Sequence, residues 1–177
     1  MSILVSCSLV AFFAGFHVVA GPLYDLYGIR PDFTILALVT ACLVLPPPAA
    51  YAAALLAGGV LDALSPGIVG PHMTGCLLST FFILRCRSAG IAESARGTAL
   101  LAIAGILLGL LAPHGARWLL LDGPSTAPGL SIGATTAYTA LLTWPVYRIT
   151  LPILHWALPG EKGIGAIRGR SAWQRHG

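Results

Sequence analysis

Apolar residues run along this chain in long blocks, and polar residues gather where the blocks end. No residue of 33–61 carries a formal charge, and none does in 63–84, so Asp62 stands alone inside a long lipid-compatible stretch. A membrane-spanning helix needs ~20 largely apolar residues, because each rises 1.5 Å through a hydrocarbon core ~30 Å thick. The blocks predict six such helices, over residues 2–20, 33–45, 49–64, 71–84, 97–113 and 131–147. The second, third and fourth are short, which predicts tilt or local bilayer thinning. Pro46-Pro47-Pro48 ends the second helix, since proline lacks the amide donor and disfavours helix in the residue before it. Residues 45–49 are therefore expected to form a tight turn between antiparallel spans. Residues 113–130, with Pro124, Pro128 and several glycines, are expected to form a loop in which Trp118-Leu119-Leu120-Leu121 lies flat on the membrane.

Composition strengthens the membrane reading. Of 177 residues, 56% are hydrophobic and only 9% charged, against about 25% charged in soluble domains. A chain of this size cannot hide that deficit in a core, so lipid must be the solvent for most of its surface. The net charge of +4 does not point to nucleic acid, because no face interleaves aromatic with basic residues. The basic residues instead set an orientation. With six spans, one side holds Arg85, Arg87, Arg96, Lys162, Arg168, Arg170 and Arg175, and the other holds only Arg30 and Arg117, with Asp25, Asp32, Asp62 and Asp122. The positive-inside rule then places both termini in the cytoplasm. Arg148 is expected to snorkel to the inner headgroups while Trp156 anchors at the interface. Residues 1–158 make a transmembrane domain, and 159–177 a basic, flexible cytoplasmic tail against anionic lipid.

Val18-Val19-Ala20 before Gly21 has the look of a signal cleavage site, but no Lys or Arg precedes the apolar run, and that run exceeds a signal core of ~7–15 residues. A retained first span is expected. Cys7, Cys42, Cys76 and Cys86 show no CxxC pairing and read as buried structural thiols.

Candidate chemistry is sparse. Asp62 reads either as a carboxylate that binds a proton, cation or partner, or as a break at an outer helix end. In the second reading the Ser65 hydroxyl or loop amides satisfy it, and Pro66-Gly67 stops the helix. His17, His72 and His114 are expected near the same face, without ligand spacing for a metal. No acid–base pair or activated nucleophile is visible, and no enzyme is read here. Small residues recur at helix-packing intervals: Ala49, Ala53 and Ala57, with Ala50, Ala54 and Gly58, on the third span, and Gly105 with Gly109 on the fifth. Such faces let helices approach closely, inside the bundle or against a partner helix.

One stretch resembles a known family. Pro31-Asp32 opening an apolar span, then Gly58-Gly59-Val60-Leu61-Asp62-Ala63-Leu64-Ser65 and Gly70-x-His72, is similar to the rod-shape-determining MreD proteins. The resemblance covers residues 31–87. It implies a non-enzymatic inner-membrane subunit of the bacterial cell-elongation machinery, without cofactor. Such a subunit binds the bitopic protein MreC and, through it, acts with RodA, a class B penicillin-binding protein and MreB filaments. It also implies a six-helix bundle similar to the S components of energy-coupling-factor vitamin transporters. The rival reading is therefore a small-molecule uptake subunit, which needs a cavity with converging polar groups.

Overall fold

A computed structural model describes residues 2–27, 29–65, 69–120 and 129–157. Among them the fold is all helical: α1 (Ser2–Ala20), α2 (Phe33–Val44), α3 (Pro47–Leu64), α4 (Pro71–Ser88), α5 (Ala95–Leu120) and α6 (Gly129–Ala157), with short 3-10 turns at Gly21–Tyr24 and Ile91–Glu93. Among the described residues three segments are long and apolar enough to cross a membrane, namely Ser2–Tyr24, Pro47–Leu64 and Arg96–Gly115, and Phe33–Val44 is a shorter apolar helix.

The short helix is the centre of the fold. Every residue of α2 is buried, and α2 touches each of the other five helices. A 12-residue helix is about 18 Å long, too short for the hydrocarbon core. The structure surrounds α2 with the other helices, as befits an apolar run of this length.

Burying a helix end leaves backbone groups without water, and both ends of α2 are met by charged side chains. At the start, Asp32 accepts from the amides of Thr34 and Ile35, each at 3.0 Å. At the finish, the Arg87 guanidinium of α4 donates to the carbonyls of Cys42 at 2.6 Å and Leu45 at 2.8 Å. The triple proline explains the second cap. Pro46 stands four residues after Cys42 and has no N–H to give its carbonyl, so Arg87 supplies the missing donor. The same prolines start the next helix, Pro47 and Pro48 being its first residues, where a missing N–H does no harm.

α1 turns Ser6, Val10 and Ala14 inward, one residue per turn, and the Ser6 hydroxyl donates to the Ala49 carbonyl of α3 at 2.7 Å. Its other faces stay exposed, with Leu4, Phe12 and Val19 uncovered. α4 packs between α3 and α5. There the Ser79 hydroxyl donates to the Gly105 carbonyl at 2.8 Å, and Gly75 faces Pro113 and the Gly109 carbonyl of α5.

The loop expectation changes. α5 runs through Pro113 to Leu120 and α6 begins at Gly129, so Trp118 to Leu120 are helical and not part of a loop. A proline inside a membrane helix is tolerated because neighbouring groups re-satisfy the freed backbone. The 121–128 segment, Pro66-Gly67 and the 159–177 tail lie outside the described residues, as does the Trp156 side chain.

Candidate functional site

Gly58 governs the geometry around Asp62. On the inward face of α3, a Cβ at Gly58 would lie 2.3 Å from the Met73 Cα and 2.8 Å from its amide nitrogen. Only glycine lets α4 approach this closely. The approach carries the first amides of α4 over the Asp62 side chain, one turn further along the same face of α3.

Asp62 is 3% exposed and uses both oxygens. Oδ2 accepts from the Gly70 amide at 2.8 Å and the Met73 amide at 3.2 Å. Oδ1 accepts from the His72 amide at 3.0 Å and lies 2.9 Å from the His72 Nδ1. Gly70 precedes α4 with φ of 125°, a conformation open to glycine, and Pro71 occupies the first helical position. The carboxylate therefore caps α4 from the preceding helix. A negative charge here is favoured by the unpaired amides and by the helix dipole. An ionised carboxylate offers about four acceptor directions; three are taken by backbone amides and the His72 Nδ1 lies against the same carboxylate.

The sequence offered Ser65 or loop amides as partners of Asp62. The Gly70 amide fits the second option and the His72 and Met73 amides belong to α4. The Ser65 hydroxyl is not among the donors. The Ser65 backbone N–H closes α3 onto the Leu61 and Asp62 carbonyls, and the residue lines a cavity of about 290 Å³ with His17, Pro22, Arg30, Leu61 and Leu64. Arg30 is already bonded to Asp25 at 2.7 Å.

Asp32 works in a simpler way. Pro31 is buried ahead of it, Oδ1 alone takes both α2 amides, and the Asp32 N–H donates to the Thr139 hydroxyl of α6 at 3.0 Å. Both aspartates of the sequence motif are thus N-terminal caps, one local and one reaching across a loop. Gly59 points elsewhere, with only the Met73 Cε at 3.9 Å from its would-be Cβ.

The small-residue faces go to internal packing. Ala49, Ala53 and Ala57 are fully buried, in the helix that packs on α1 and α4. At Gly105 a Cβ would meet the Ile83 Cδ1 at 2.5 Å, and at Gly109 the Ile35 Cδ1 at 3.3 Å. Of the two uses that the spacing allowed, the structure shows the internal one: these residues are buried in packing within the chain.

Arg87, Thr139, Ser79 and Ser6 are structural donors or acceptors that reading the sequence missed. Only Arg87 had a visible signal, because three consecutive prolines leave carbonyls of the preceding turn without amide donors. Cys42 and Cys76 are buried, while Cys7 and Cys86 are partly exposed. Among the described residues no group of His, Cys, Asp or Glu is placed to hold a metal. No family model, curated protein or solved structure matches the chain.

Proposed function

We propose that this chain is a non-enzymatic, six-span scaffold of the bacterial inner membrane, of the MreD kind, with both termini in the cytoplasm. It binds an MreC-like bitopic protein and so supports lateral peptidoglycan synthesis by RodA and a class B penicillin-binding protein along MreB filaments. One observation carries the reading: Asp32 and Asp62, the two acidic residues of the family-like element, both serve as helix caps. An element whose polar groups are spent on architecture suits a protein that holds partners in place.

The short α2 fits the same reading, since six helices around and including a buried centre make a compact platform. With the small-residue faces used internally, the partner helix docks on an outer flank, where Leu78, Phe81 and Phe82 of α4 are exposed. The S-component-like uptake reading has less support. The cavity at the Asp62 end falls just below the ~300–1,000 Å³ usual for ligand sites, and Asp62 does not line it.

The test is co-purification from bacterial membranes in mild detergent. A single-span protein with a large extracytoplasmic part should be recovered in stoichiometric amount, and depletion of this chain should turn rod cells round. Recovery of the intact bundle without such a partner, or with a bound vitamin, overturns the proposal.

A further inference from the structure

α5 and α6 part along one flank and leave a groove of about 570 Å³ floored by Leu43 of α2. Small residues make it. Ala99 and Ala102 of α5 and Gly133, Ala137 and Ala140 of α6 are among its lining, and their small side chains leave the space open. Ile103, Leu141 and Trp144 along it are 41%, 73% and 54% exposed. The groove therefore opens sideways, onto the surface that lipid covers.

One end differs from the rest. Thr98, Trp144 and Tyr147 line it, and the Arg148 guanidinium lies 5.3 Å from the centre of the Trp144 ring. Arg96 stands two residues before Thr98. Among the described residues no carboxylate pairs with Arg148, the ion pairs being Arg30 with Asp25 and His72 with Asp62. A cation on an apolar flank needs an anionic partner or water, and a ring face supplies only part of that need.

We propose that the groove holds one acyl chain of an anionic phospholipid, with the phosphate headgroup against Arg148. The volume lies within the range of small-ligand sites. A whole helix about 10 Å across fits only on its rim. An apolar slot lined by Trp144, with the Arg148 guanidinium over that ring, matches an acyl chain followed by an anionic headgroup, and basic pockets between spans are a known form of headgroup recognition. The inference rests on the chain lying in a bilayer and is independent of any protein partner.

Native mass spectrometry of the purified full-length chain, in micelles doped with equal phosphatidylglycerol and phosphatidylcholine of matched chains, tests this. One phosphatidylglycerol should remain bound at about tenfold higher occupancy than phosphatidylcholine. Arg148→Gln should erase that preference. Ala137→Phe, or Ala99→Phe as a second variant, should fill the groove and remove the bound lipid, while the protein stays monodisperse and helical. Both alanines are exposed, so the core is spared. Equal retention of the two lipids, an unchanged preference in Arg148→Gln, or unchanged retention in both phenylalanine variants overturns the proposal. So does loss of a co-purified protein helix, with lipid retained, in the phenylalanine variants.

Discussion

The Asp62 Oδ1 and the His72 Nδ1 lie 2.9 Å apart, and the same oxygen accepts the His72 backbone amide at 3.0 Å. A single residue of α4 is gripped at two points by the end of α3. The turn between them is thereby closed by side-chain chemistry as well as by chain connectivity.

The two capping aspartates should respond differently to the same change. Asp32→Asn keeps the one oxygen in use, and Asn caps helices about as well as Asp, so stability should change by less than ~0.5 kcal/mol. Asp62→Asn turns an NH₂ group toward at least one backbone N–H donor, whichever oxygen it replaces. It should cost about 1.5–3 kcal/mol, the range for hydrogen bonds to a charged group. Thermal unfolding in detergent, followed by helical circular dichroism, compares the two. Equal losses would mean that Asp62 does not use both oxygens.

The adjacent glycines make an internal control. Gly58→Ala forces a methyl against the Met73 backbone at 2.3 Å and should cost at least the ~1–3 kcal/mol of ordinary overpacking. Gly59→Ala meets only the flexible Met73 tip at 3.9 Å and should be neutral or slightly stabilising, because alanine favours helix. Gly105→Ala should fall between them, since the Ile83 side chain can move. The order of melting temperatures checks the interhelical distance at each point.

Arg87→Met removes both donors from the end of α2 and leaves two carbonyls unsatisfied. A loss of about 1–3 kcal/mol is expected, with Arg87→Lys recovering part of it. Hydrogen exchange of the amides in the last turn of α2 should accelerate more in the Met variant than in the Lys variant. No change there would show that another group serves those carbonyls.

Cysteine labelling separates packing from topology. In folded protein, maleimide should react with Cys7 and Cys86 and spare Cys42 and Cys76, in keeping with their burial. In oriented membrane vesicles an impermeant reagent should reach Cys86 only from the cytoplasmic face. Labelling from the outer face would reverse the proposed orientation.

Much of the architecture was legible in the residues. Each of the six apolar runs is a helix, and the first coincides with α1. The reason is simple: in a bilayer the backbone must satisfy itself, so a long apolar run has few alternatives to helix. Boundaries failed where polar residues or proline served as stops. α4 continues through Arg85 and Arg87, α5 continues past Pro113 and α6 past Pro152, because packing against neighbours outweighs a local breaker. The lone carboxylate at Asp62 was visible as an anomaly, and its structural reading named a helix end. Its partners were not legible, since the amides of Gly70, His72 and Met73 reach it through an approach that depends on Gly58. The uses of Ala53 and Gly105 were undecidable from spacing, which is the same for a helix inside the bundle and one outside it.

The capped central helix also constrains how the protein is made. α2 is completed early in synthesis, yet the guanidinium that seals its final turn belongs to Arg87, some forty-five residues later. Its own length is marginal for independent insertion. On the proposed six-span reading, the nascent chain would bring α2 into the bilayer as one arm of a hairpin with α3, pivoting on the prolines. Its last carbonyls stay open until α4 arrives. Assembly order is written into the fold: the helix at the centre is among the first to be synthesised and cannot be sealed until the fourth is in place.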